Sequence, residues 1–134
     1  MIPLEQAKKA LEASEHKAKE LGLAVTTAIV DTHGSLIALS RMDGAIPISP
    51  KFATTKAFTA ANLGMQTSDL AGYEAPEKPL YGLHALFAGE LTSLAGGVPV
   101  VIHGKVVGGI GVGGSKDVSQ DAECAQAAKR ILEA

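Results

Sequence analysis

Gly96-Gly97-Val98-Pro99-Val100-Val101-Ile102-His103-Gly104-Lys105-Val106-Val107-Gly108-Gly109-Ile110-Gly111-Val112-Gly113-Gly114 is the stretch that decides the fold. Its apolar runs are strand-like, and His103-Gly104-Lys105 is a turn between them, so it reads as a β-hairpin. A strand glycine has no side chain to pack and loses more backbone entropy on folding than any other residue. The glycines of the second strand therefore mark a place where something comes close to the backbone, either a ligand or another chain. Five of the chain's 15 glycines lie between positions 108 and 114. The run is the first candidate for a binding surface, with Gly96, Gly97, Gly111 and Gly113 as candidate ligand contacts.

Downstream, Asp117 to Ala134 has helical spacing, with Asp117 or Ser119 as its cap and Ala122, Ala125, Ala128 and Leu132 as its inner stripe. Upstream lie a helical turn (80–87), a polar loop with two prolines (73–79) and the start of a short helix (67–70). Lys51 to Leu63 reads as a small-residue helix closed by Gly64, and residues 42–50 as irregular. Leu36 to Arg41 and Leu23 to Asp31 are the arms of a second hairpin around Thr32-His33-Gly34-Ser35. At the start, Pro3 opens a helix whose Leu4, Ala7, Leu11, Ser14, Ala18 and Leu21 share a stripe, with Gly22 at its end. The order α–β–β–α–loop–β–β–α predicts an α+β arrangement, an antiparallel sheet with helices packed on it.

The 134 residues suit one domain spanning 1–134. Hydrophobic residues make up 46% but aromatics only 4%, so the core must be aliphatic. Alanine-rich helices bury little area each, and oligomerisation is expected to supply part of the stability. A net charge of −2 with no basic run argues against nucleic-acid binding. No stretch approaches the length of a membrane span, and the first residues lack the charge and apolar run of a secretory signal. A soluble, cytoplasmic protein is the expectation. The single cysteine, Cys124, allows no internal disulfide and no cysteine-based zinc cluster, and it reads as a small buried hydrophobe.

Seven blocks in order carry a resemblance: Val30-Asp31-Thr32-His33-Gly34-Ser35-Leu36, Arg41-Met42-Asp43-Gly44, Lys56-Ala57-Phe58-Thr59-Ala60, Leu80-Tyr81-Gly82, Gly96 to Val100, Gly104 to Val112, and Gln120-Asp121. Together they resemble the GlcG/HbpS family, the haem-binding-protein-like domain also found as the C-terminal part of PduO-type corrinoid adenosyltransferases. The resemblance implies a profilin-like αβα fold with a central antiparallel sheet of about five strands. It implies homo-oligomers, and haem binding in some members. One departure from the family pattern is Gly111-Val112-Gly113-Gly114-Ser115, where the usual Gly-Val-Ser-Gly-Gly hydroxyl is lost or displaced.

On this footing His16, His33 and His84 are candidate haem-iron ligands, because a neutral imidazole binds iron well; His103 reads as a turn residue. Glu12 and Glu15 have a Glu-x-x-Glu spacing that resembles an iron-contact motif of some members, and equally suits a solvated helix face. Arg41, Asp43 and Lys56 are candidates for holding a carboxylate, a haem propionate included, or for acid–base work. The alternative for them is a structural ion pair of Lys56 or Arg41 with Asp31 or Asp43. Lys56 shares a helix face with Phe52, Ala53, Thr59, Ala60 and Leu63, so its ammonium is expected on the apolar side, facing a groove. Asp31, Thr59 and Tyr81 complete the candidate ligand contacts.

The leading expectation is a domain that binds a small molecule, haem or another planar anionic ligand, between helices and glycine strands. The alternative is a lyase or isomerase acting on a small carboxylated substrate through Lys56, Arg41 and Asp43. A third reading is an accessory subunit with no small molecule.

Overall fold

The structure, a computed structural model, describes residues 1–134. Its elements run α1 (Leu4–Glu20), β1 (Thr26–Asp31), β2 (Leu36–Arg41), α2 (Ser49–Leu63), α3 (Thr67–Glu74), α4 (Leu83–Leu86), β3 (Gly97–Ile102), β4 (Lys105–Gly113) and α5 (Val118–Leu132). The local signals end the elements as expected. Gly64 closes α2 in the left-handed conformation at φ 64°, and the Asp117 carboxylate accepts from the Ser119 N–H to cap α5. The β3–β4 hairpin turns on His103 and Gly104 alone, both at positive φ, while Lys105 already belongs to β4.

The four strands form one antiparallel sheet in the order β2-β1-β4-β3. The hairpins β1–β2 and β3–β4 join through β1 and β4, paired from Thr26↔Gly113 to Asp31↔Gly108. The sheet has four strands where the resemblance implied about five. Residues 67–94, between α2 and β3, fold into α3, α4 and turns and add no strand.

Helices α1 and α5 pack together on one face of the sheet. The core there is Ile2, Leu11, Val25, Ile29, Val98, Val100, Ile110 and Val112, filled out by Ala7, Ala10, Ala18, Cys124, Ala125 and Ala128. Burial pushes the Cys124 thiol up to about 11, so it is an unreactive thiol at neutral pH. Helix α2 lies on the other face and meets the sheet through Ala53, Ala57, Ala61, Ala28 and Val30.

The strand glycines are explained by this second face. What comes close to them is α2 of the same chain. A Cβ at Gly109 would sit 2.5 Å from the Ala57 carbonyl oxygen, and one at Gly113 2.5 Å from the Phe52 Cβ. At Gly111 it would overlap the Ala53 carbonyl and lie 2.5 Å from the Ala57 nitrogen. At Gly97 it would meet Thr67 Cγ2 at 2.5 Å and the Lys56 carbonyl oxygen at 2.6 Å. Glycine on the sheet and alanine on the helix let two backbones approach to a distance that any larger side chain would prevent.

Between α3 and β3 the packing is different in kind. No residue from 71 to 90 is buried. The stretch is held by backbone turns such as Leu80 N–H to the Tyr73 carbonyl, and Thr59 and Thr67 tie down the residues that follow it. The buried Thr67 hydroxyl donates to the Leu94 carbonyl at 2.5 Å and accepts from the Gly97 N–H at 3.0 Å. Thr67→Val should leave both backbone groups unpaired at about 1–3 kcal/mol, read as a lower urea midpoint at unchanged slope.

Candidate functional site

Lys56 is the largest fully buried side chain, 1% exposed. From α2 it passes the sheet end beside Gly96, where a Cβ would lie 2.8 Å from its Nζ. Nζ donates to the Val112 carbonyl at 2.8 Å and to Asp121 Oδ2 at 3.2 Å. Asp121, on α5 and equally buried, accepts from the Ser115 N–H through its other oxygen at 3.1 Å. The pair links the single helix on one face of the sheet to the helix pair on the other. Burial outweighs mutual attraction in both groups: it pushes the Lys56 ammonium down and the Asp121 carboxyl up from their ordinary ranges. The expected open groove in front of the ammonium is therefore replaced by an ion pair, and the partner is Asp121 rather than Asp31 or Asp43.

The remaining candidates do not converge. Asp31 accepts from the His33 and Ser35 N–H groups at 2.8 and 3.0 Å, closing the β1–β2 turn, and these bonds hold its carboxyl below the usual range. Arg41 donates to the Ala45 carbonyl at 3.0 Å. With Asp43, Glu15, Lys19 and Met42 it lines a shallow polar cavity of about 340 Å³, apart from Lys56. Tyr81 is exposed at 67%, and His33 and His103 are exposed turn residues. His16 lies on α1 with its Nε2 3.1 Å from Glu20 Oε1 in solvent, and Glu12 is on the same exposed surface. His84 Nε2 lies 2.5 Å from Glu74 Oε2. Gly96, Gly97, Gly111 and Gly113 are packing positions. No group of three or more His, Cys, Asp or Glu side chains is placed to hold a metal ion.

What the fold does build is a groove on the outer face of α2. One cavity of about 190 Å³ is lined by Val30, Gly34, Leu36, Phe58 and Glu90 together with Lys51, Thr54 and Thr55. A second, of about 220 Å³, is lined by Phe52, Lys56, Leu91, Thr92 and Leu94 and again by Lys51 and Thr55. The two shared residues make them halves of one groove between the β1–β2 hairpin and residues 89–94. Lys51 stands at the junction with no acidic partner, and the Phe52 and Phe58 rings give each half an apolar wall. Sequence reading missed Lys51, Thr55 and Glu90, because an exposed lysine on a threonine-rich helix looks like any solvated face. Only the position of the 89–94 wall singles them out.

Thr59, a sequence candidate, holds that wall. Its buried hydroxyl donates to the Thr55 carbonyl at 2.8 Å and accepts from the Thr92 N–H at 3.1 Å. Thr59→Val should cost about 1 kcal/mol. It should also speed amide hydrogen exchange in residues 89–94 while α1 and α5 keep their protection.

The family model described as "Haem degrading protein HbpS-like" matches residues 2–130. Protein GlcG of Escherichia coli K12 is 40% identical over 113 residues, which cover 84% of this chain and 81% of that protein. The crystal structure of a PduOC:heme complex superposes with a TM-score of 0.92 at 30% identity, covering 98% of this chain and 94% of that one. A doubly substituted form of Streptomyces reticuli HbpS superposes with a TM-score of 0.90 at 36% identity, covering 99% and 88%. This chain matches 34% of the length of the Salmonella typhimurium corrinoid adenosyltransferase PduO, to which it is 34% identical over 116 residues.

Proposed function

The chain belongs to the HbpS-like family, and from that premise we propose that it binds a planar anionic small molecule of the haem class in the outer groove of α2, as a homo-oligomer. The observation that carries the reading is the groove itself, with its apolar walls and one ammonium that has no acidic partner. Ligand sites are concave and mainly apolar, with a few polar groups that fix orientation. Phe52, Phe58, Leu36 and Leu91 supply the apolar surface, and Lys51 is placed for a carboxylate such as a propionate. The solved haem complex of a close structural neighbour supports the ligand class.

Homo-oligomerisation is supported by the segment beside the groove. Tyr73, Tyr81, Leu86, Phe87 and Leu94 are exposed along a stretch in which residues 71–90 bury nothing. Apolar surface of this kind is normally covered by a partner. Each half of the groove is smaller than the roughly 300–1,000 Å³ of a typical ligand site, so a haem would occupy both halves or project towards a second subunit. Haem, when bound, supplies an iron centre for ligand or redox chemistry; the protein's part is to bind, orient and cover it.

A titration with ferric haem tests the reading. The wild type should give a saturable Soret shift at one equivalent per subunit. Thr55→Trp, which fills the junction of the two halves, should abolish saturation. As a surface change it should alter stability by only about 0.5 kcal/mol. Lys51→Met should weaken haem about tenfold through loss of one charged contact. Non-saturating absorbance in the wild type, or full binding by Thr55→Trp, rejects the groove.

A further inference from the structure

We infer that Glu90 sets the specificity of the α2 groove, restricting it to planar ligands whose carboxylates lie along one edge; this rests on the haem reading above. The two halves of the groove differ in charge. The second half holds no free charge beyond the shared Lys51, because the Lys56 ammonium is engaged by Asp121 and the Val112 carbonyl. The first half sets Glu90 with Val30, Leu36 and Phe58. Lys51 and Glu90 line that one cavity, yet neither forms an ion pair with the other or with any other side chain. A ligand carboxylate in the groove is drawn to Lys51 and repelled by Glu90.

The backbone around Glu90 holds it on this wall. Its N–H donates to the Phe87 carbonyl at 3.0 Å, and it follows Ala88 and Gly89, at φ 50° and 84°. A non-glycine residue at positive φ is uncommon and persists only where its surroundings enforce it. On the other side, Leu91 is buried and the Thr92 N–H is bonded to the Thr59 hydroxyl. The carboxylate is thus carried by a segment anchored before and after it. Specificity often comes from a group that rejects the wrong ligand, beside one that attracts the right one. Lys51, at the junction, takes the carboxylate edge of the ring. The opposite edge lies in the first half against Val30, Leu36 and Phe58, where Glu90 opposes any further carboxylate. Haem has this distribution, with propionates on one edge and vinyl groups on the other. A tetrapyrrole carboxylated on both edges does not.

The experiment titrates the full chain with ferric haem and with iron coproporphyrin III, in which propionates replace the vinyl groups. Wild type, Glu90→Gln and Glu77→Gln are compared; Glu77 is an exposed carboxylate that lines neither half of the groove. Wild type should bind haem about fivefold more tightly than iron coproporphyrin III, the scale of one exposed charge contact. Glu90→Gln should bring the two ligands within about twofold of each other, by tightening iron coproporphyrin III. Glu77→Gln should keep the wild-type ratio. Equal affinities in the wild type, an unchanged ratio in Glu90→Gln, or the same loss of preference in Glu77→Gln overturns the role of Glu90 and leaves haem binding standing. No saturable haem binding in the wild type overturns both.

Discussion

Gly111→Val should cost about 3 kcal/mol or more, enough to leave a domain of ordinary stability largely unfolded at modest urea. Even one carbon at this position overlaps the Ala53 carbonyl and lies 2.5 Å from the Ala57 nitrogen. Both obstacles are backbone atoms of α2, so no side-chain rotation relieves the clash and the helix itself must lift. Lifting it would open the Ala28, Val30, Ala53, Ala57 and Ala61 contact along its length. Gly72→Ala is the control. Gly72 lies in α3, and a Cβ added there would have nothing within 4 Å. The change should be neutral or stabilising by about 0.5–1 kcal/mol. Urea denaturation of both variants decides the point. Near-native stability of Gly111→Val would mean that α2 is not seated on β4 as described.

Lys56→Met should cost about 3–5 kcal/mol, because it strands the Asp121 carboxylate in the interior without its cation. The double variant Lys56→Met/Asp121→Leu should recover most or all of that loss, since a buried pair repays its desolvation poorly and apolar replacements often do as well. The pH dependence has a defined sign. Asp121 has its folded pKa above the unfolded value of 3.8, so between those two values the folded state holds the extra proton. Its contribution is therefore full below pH 3.8 and is lost as the pH rises through the folded value. The stability difference between wild type and Asp121→Asn should move in favour of wild type as the pH falls from about 7 to about 4. A difference that moves the other way would mean that attraction to Lys56 outweighs burial.

The sheet and its helices are legible in the sequence because their signals are local. Alternation, turn residues and caps place β2 at Leu36–Arg41 and end α2 at Gly64, as found. The apolar-face argument puts Lys56 on the inner side of α2, as found, but facing an open groove, where the structure buries its ammonium in an ion pair. Its partner is not legible. Asp121 lies 65 residues away on another helix, and nothing in the spacing of either residue announces the pair. The glycine run reads as closely approached, which holds, but a close approach has no signature that tells a helix from a ligand. The groove escapes for the same reason as Asp121: Lys51 on α2 and Glu90 and Thr92 on the far wall meet only after the chain folds, and each alone is an ordinary surface residue. The extra strand implied by the resemblance fails at residues 67–94, where short helices and turns with exposed side chains replace any strand pattern.

Native mass spectrometry of the purified protein, with and without an excess of haem, tests the central claim most directly, because it reports subunit number and bound ligand together. The account predicts a closed homo-oligomer that retains one haem per subunit, and an assembly of unchanged subunit number carrying none for Thr55→Trp. A bare monomer that retains no haem under the same conditions would contradict it.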